Sequence, residues 1–160
     1  MARKIGELKA SDTVQKACAF YMNTPKFASL AGNTQKDYDR HLMTACVTAV
    51  QRGKNLGNIR LKDLQFSNVT VAYDTWERGI GVRSANYIAT ALSIVLNTAM
   101  RHQALFSNPV SLIQRSKTKP RKVRWTTPQV RLFLDTAYSE WRWRSIGLIV
   151  HMAFNWAQRV

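Results

Sequence analysis

The stretch Arg83–Leu105, RSANYIATALSIVLNTAMRHQAL, decides the fold. Ile88, Ala91, Leu92, Val95 and Ala99 recur at three- and four-residue spacing and so share one face of an α-helix. Ile94, Leu96 and Met100 widen that stripe beyond what a helix lying on a surface needs. The pattern predicts a long helix from Arg83–Ser84 to Leu105 at the centre of a bundle. Its first two turns also carry Arg83, Ser84, Asn86, Tyr87 and Thr90, a polar set suited to a partner outside the bundle.

Reading back from this helix, Gly79 and Gly81 break the chain. Before them, Val69, Ala72, Tyr73 and Trp76 keep helical spacing behind a cap at Ser67 or Asn68. Residues 53 to 66 hold Gly53, Gly57 and Asn58, then Leu61, Leu64 and Phe66, which reads as a loop with apolar anchors. A further helix is predicted from a cap at Asn33 to Arg52, with Tyr38, Leu42, Ala45, Cys46 and Ala49 inward. Its outer face offers Gln35, Lys36 and Arg40. The first helix is capped by Ser11 or Asp12, buries Val14, Ala17, Cys18 and Tyr21, and ends near Pro25. Four main helices and no strand are expected, an all-α class.

Reading forward, Asn108–Pro109 stops the chain after the long helix. Gln114–Lys122, QRSKTKPRK, has no aliphatic or aromatic residue and is the natural linker. Thr127 as cap and Pro128 at the first helical position then open a new helix carrying Val130, Phe133, Leu134 and Ala137. A last helix from Arg142 holds the apolar run Ile146–Trp156. It is apolar on nearly all sides, as buried helices of larger domains are. Only 36 residues follow the linker, too few to fold alone without metal or disulfides, so a truncated second domain is expected.

The charge sharpens the reading. The 160 residues carry 24 Lys and Arg against 9 Asp and Glu, a net +15 that calls for a polyanionic partner. With 46% hydrophobic residues the chain is not a basic disordered tail. Only Asp135 and Glu140 follow Arg78, against twelve Lys and Arg, and six of the ten residues Arg115–Arg124 are basic. No apolar run is long enough to span a bilayer, and the N-terminus has no secretory core. Cys18 and Cys46 fall on apolar faces and read as free buried thiols. His41, His102 and His151 lack ligand spacing, so no metal is expected, and no glycine-rich loop calls for a nucleotide cofactor.

Four features in order resemble the tyrosine recombinase family, the phage integrases. Asn33–Tyr38, NTQKDY, is similar to the family's T-x-x-x-Y at the start of its second helix. The long fourth helix runs into a basic turn closing with Asn108–Pro109, similar to the end of the family's core-binding domain. A basic linker leads into Trp125–Val130, WTTPQV, where the family opens its catalytic domain. An apolar helix ends in Trp156–Val160, WAQRV, where the family has T-G-x-R; here Trp156 and Ala157 replace its Thr and Gly.

The resemblance implies a four-helix SAM-like core-binding bundle over residues 1–113, a basic linker over 114–124, and the first helices of a truncated, mainly-α catalytic domain over 125–160. It implies duplex DNA as partner, an attachment or core-type site, clamped between the two domains. Lys117, Lys119, Arg121, Lys122 and Arg124 would lie on phosphates. Arg159 would be the first catalytic arginine, its fork donating two hydrogen bonds to phosphate oxygens. In the family a tyrosine attacks the phosphate to give a 3′-phosphotyrosyl link. That tyrosine, the second arginine and its histidine partner would lie beyond Val160. Tyr21, Tyr38, Tyr73, Tyr87 and Tyr138 read instead as packing residues, so the chain is expected to bind DNA without cleaving it. The full-length parent would assemble as a tetramer of protomers on DNA, in the cytoplasm of a bacterial host if a phage or mobile element encodes it. Two other readings fit the basic charge: a helical transcriptional regulator that reads an operator, and a coat protein that covers nucleic acid nonspecifically.

Overall fold

A computed structural model describes residues 7–51, 53–118 and 125–156. Backbone contacts divide the chain into two compact units, Met1–Thr118 and Lys119–Val160.

The first unit is built on helices α1 (Val14–Met22), α2 (Pro25–Ala28), α3 (Gly32–Val47), α4 (Phe66–Ile80) and α5 (Val82–Arg101). Thr13 caps α1, its hydroxyl accepting from the Lys16 N–H, and Val14, Ala17, Cys18 and Tyr21 are buried as their spacing requires. Thr24 and Pro25 end α1 and start α2 in one step. α5 packs on α1, α3 and α4 and is the centre of the bundle. Ala85, Ala89, Ala91 and Ala99 are at most 1% exposed, so small side chains let the neighbouring helices come close. Cys18 on α1 and Cys46 on α3 are free and buried, with sulfurs 3.8 Å apart.

Several boundaries differ from the sequence reading: Thr13, rather than Ser11 or Asp12, caps α1, Asn33 lies inside α3, and Gly79 lies inside α4, so Gly81 alone breaks the chain there. α3 ends at Val47 rather than Arg52, and a small antiparallel hairpin follows, β1 (Ala49–Gln51) and β2 (Lys54–Asn55). Thr48 leaves the helix because its hydroxyl accepts from the indole N–H of Trp76 on α4, at 2.7 Å. Gly53, at φ 74°, turns the hairpin, and Ala49 faces solvent. α4 starts at Phe66, with Asn68 Oδ1 accepting from the Gln65 N–H, so Asn68 works from the third helical position and not as the cap. α5 stops at Arg101 instead of Leu105. Gln103 adopts φ 57°, the Ala104 N–H reaches the Ala99 carbonyl at 3.0 Å, and the Gln103 N–H reaches that of Met100 at 2.9 Å. This is a Schellman closure with glutamine where glycine is usual.

The Asn108–Pro109 corner then clasps α5. Asn108 is 7% exposed; its Nδ2 donates to Asn97 Oδ1, Ser93 Oγ and the Ser93 carbonyl, and its Oδ1 accepts from the Val110 N–H. Pro109–Leu112 forms a single 3-10 turn beyond it.

The second unit pairs α6 (Thr127–Ser139) with α7 (Arg144–Trp156). Thr126, not Thr127, caps α6, and its N–H is bound by Gln129 Oε1. The two helices meet where Gly147 lies against Ala137 and Tyr138. Two helices cannot cover an all-round apolar surface. Leu132, Ile146, Leu148, Ile149, Phe154 and Trp156 accordingly stay 42–70% exposed in this unit. Among the described residues no helix is long and apolar enough to cross a membrane.

Candidate nucleic-acid interface

The first halves of α3 and α5 enclose a groove of about 530 Å³ in the first unit. Arg40, Arg83, Ser84 and Tyr87, all singled out from the sequence, line it together with Thr34, Asp37, Tyr38, His41 and Thr90. The convergence follows from helix geometry. Arg83, Tyr87 and Thr90 recur at helical spacing on the edge of α5 next to its buried stripe, and Asp37, Arg40 and His41 do the same on α3. Across the groove the His41 and Tyr87 rings lie parallel, 8° apart in tilt with centroids 6.0 Å apart. The Arg83 guanidinium sits 5.8 Å from the Tyr87 ring centre, within cation–π range. Lys36 is exposed one turn before Arg40 and does not line the groove.

The electrostatics favour an anion. Arg40 Nη2 and Asp37 Oδ1 are 2.9 Å apart, but both side chains are well exposed, so the pair is weak and Arg40 can turn to another acceptor. Burial, and then the nearby Arg40 charge, push the His41 imidazole below its ordinary value, with Asp37 pulling the other way. His41 is therefore neutral at pH 7 and contributes a ring rather than a charge. Arg115, which the sequence marks only as one of a basic run, comes to the same place: its Nη1 donates to Thr90 Oγ1 at 2.7 Å. Thr34, Asp37, Tyr38, His41 and Arg115 are the members that the sequence reading did not assign to a binding surface. The basic run signalled Arg115 as a cation, while nothing local placed His41 opposite Tyr87.

Two of the singled-out residues point elsewhere. Gln35 Nε2 donates to the carbonyls of Leu30 (2.7 Å) and Ala28 (3.2 Å), closing the turn into α3 in place of a side-chain cap. Asn86 spends both ends of its amide inside the unit: Oδ1 accepts from Tyr73 Oη and Nδ2 donates to the Ser116 carbonyl. Neither amide has the free donor–acceptor edge that pairing with a base requires. Lys117 is exposed at the end of the first unit. Lys119, Arg121, Lys122, Arg124 and Arg159 lie outside the described residues. Among the described residues no cluster of His, Cys, Asp and Glu could hold a metal ion.

No family model and no curated protein matches the sequence. Two solved structures do match in fold. A lambda integrase dimer bound to a COC′ core site is similar with TM-score 0.64 and 19% identity, over 80% of this chain and 35% of that one. The Tn1549 transposon integrase in complex with circular intermediate DNA is similar with TM-score 0.70 and 17% identity, over 94% of this chain and 48% of that one. The chain thus spans between a third and a half of each of these structures. It shares its helical fold with the lambda and Tn1549 integrases.

Proposed function

We propose that the chain binds duplex DNA as the front part of a site-specific tyrosine recombinase. One observation carries this reading: Arg40, Arg83 and, through Thr90, Arg115 converge on one groove of a bundle whose fold is that of two DNA-bound integrases. Arginine forks at the rim of a groove between two helices suit phosphate oxygens. Tyr87 and Ser84 add contacts that accept a sugar or a base edge. Lys36, one turn from Arg40, extends the basic surface along α3.

Residues 1–113 act as the core-binding domain and 125–160 as the opening of the catalytic domain in this reading. The cations of 114–124, Lys117, Lys119, Arg121, Lys122 and Arg124, neutralise phosphates between them and release counterions. Arg159 serves as the first phosphate-holding arginine of a phosphotyrosine mechanism. The chain alone binds without cleaving. Other protomers on the same site complete the assembly.

Binding to a labelled duplex across a salt series tests the proposal. Wild-type chain should bind with a steep negative slope of log Kobs on log salt. Arg83→Ala and the double change Lys117→Ala, Arg121→Ala should each flatten it, by about one unit per cation removed. Slopes that do not move in any variant refute contact by these side chains. Footprinting separates the classes: a short inverted-repeat core site supports a recombinase, an operator a regulator, and uniform protection a coat protein. A covalent protein–DNA band on a suicide duplex would overturn the expectation that this chain does not cleave.

A further inference from the structure

Ser116 has both of its backbone polar groups held by side chains. Its N–H donates to Tyr73 Oη at 3.1 Å, and its carbonyl accepts from Asn86 Nδ2 at 3.0 Å. Tyr73 Oη in turn donates to Asn86 Oδ1 at 2.8 Å, so the three residues form a closed ring of hydrogen bonds. The donors and acceptors admit one assignment. A carbonyl only accepts, which puts Nδ2 of Asn86 on Ser116, and an N–H only donates, which leaves the phenol proton for Asn86 Oδ1. The ring copies with side chains what a neighbouring strand would give an extended residue.

The anchors are firm. Tyr73 is 3% exposed on α4, and Asn86 is half-buried on α5, so the ring ties the segment to two packed helices at once. One residue earlier, Arg115 is held on α5 by Thr90, whose hydroxyl donates to the Asn86 carbonyl. Residues 115 and 116 are thus fastened side by side, and the exposed Lys117 follows at once.

We infer that Tyr73 and Asn86 are positioning residues: they latch Ser116 so that Arg115 and Lys117 are held in place beside the groove before DNA arrives. This rests on the DNA-binding reading above. A cation on a free strand must lose its conformational freedom when it meets a phosphate, whereas a latched one has lost it on folding. The latch contributes to affinity without touching the ligand.

The test uses the 160-residue chain and two variants. Tyr73→Phe removes the hydroxyl. Ser116→Pro removes the backbone donor and leaves the core side chains untouched. Hydrogen exchange on the free protein reads the latch itself: the Ser116 amide should be protected in wild type and exchange freely in Tyr73→Phe, with α5 protection retained. An unprotected Ser116 amide in wild type overturns the latch whatever DNA does. Binding to a random-sequence duplex reads its consequence. Both variants should bind roughly tenfold more weakly at fixed salt while the salt slope stays that of wild type, since the same cations still meet phosphate. Wild-type affinity in both variants refutes the positioning role. Absence of binding by the wild-type chain refutes the DNA-binding reading, and the positioning role falls with it, while exchange at Ser116 still decides whether the latch exists.

Discussion

Replacing Asn108 with alanine should be among the most damaging changes to the first unit outside the apolar core. The side chain is 7% exposed and makes four polar contacts: three from Nδ2, to Asn97 Oδ1, Ser93 Oγ and the Ser93 carbonyl, and one at Oδ1 from the Val110 N–H. Nδ2 has two hydrogens for three acceptors, so two full bonds from it and one to Oδ1 are a fair count. A neutral hydrogen bond contributes about 1 kcal/mol net, and a buried donor left without a partner costs about 1–3 kcal/mol. Val110 is 1% exposed, so its N–H is the group stranded by the change. Loss of roughly 2–4 kcal/mol follows. Urea unfolding followed by circular dichroism measures it, as a lower midpoint with an unchanged slope. Asn108→Asp sharpens the experiment. It keeps the acceptor for Val110 but turns an oxygen toward the Ser93 carbonyl, so at pH 7 it should be at least as harmful as alanine. A loss below about 0.5 kcal/mol for alanine, the size of an ordinary surface change, would refute the clasp.

Three further outcomes are expected. Gly57→Ala should destabilise the first unit by about 1–3 kcal/mol, because the new Cβ would lie 2.8 Å from the Cys46 carbonyl oxygen and 3.0 Å from its Cα, backbone atoms that cannot rotate away; thermal unfolding would record the drop. Gln103→Gly should raise the unfolding midpoint slightly, since φ 57° carries about 1–2 kcal/mol of steric cost for an L-residue and part of that gain is returned as entropy of the unfolded chain; a fall in the midpoint would contradict the Schellman geometry. His41 should make stability depend on pH in one direction. Its folded value is depressed, so below about 6.5 the unfolded chain binds a proton that the folded chain resists, and stability contributed above that pH is lost as pH falls toward the folded value; His41→Gln should flatten the pH series across that window.

The helices of the bundle were legible because their buried faces are periodic. Val14, Ala17, Cys18 and Tyr21 on α1, and Ile88, Leu92, Val95 and Ala99 on α5, are buried where spacing alone puts them. Boundaries set by distant partners were not legible. The end of α3 depends on Trp76, 28 residues beyond Thr48, and Ala49–Gln51 continues a pattern that a helix would also satisfy. The same limit governs the groove. A polar residue on an outer helix face can be recognised from spacing, which is how Arg40, Arg83, Ser84 and Tyr87 were found. Whether its polar atoms are already spent cannot. Asn86 and Arg83 look alike in the sequence, yet one amide is consumed by Ser116, 30 residues away, and the guanidinium of the other lies over a ring four residues on. Arg115 shows the converse, a charge plain in the sequence whose address is written in Thr90.

The polar residues of α5 that hold the following segment fall at successive turns: Asn86, Thr90, Ser93 and Asn97. The segment meets them in reverse, Asn108 on Asn97 and Ser93, then Arg115 on Thr90, then Ser116 on Asn86. The chain therefore retraces its own central helix, and the number of residues between clasp and latch works as a ruler. In the DNA-binding reading, an insertion or deletion between Asn108 and Arg115 would bring a different residue to the Tyr73–Asn86 latch, so segment length, and not composition alone, decides which cations are held beside the groove.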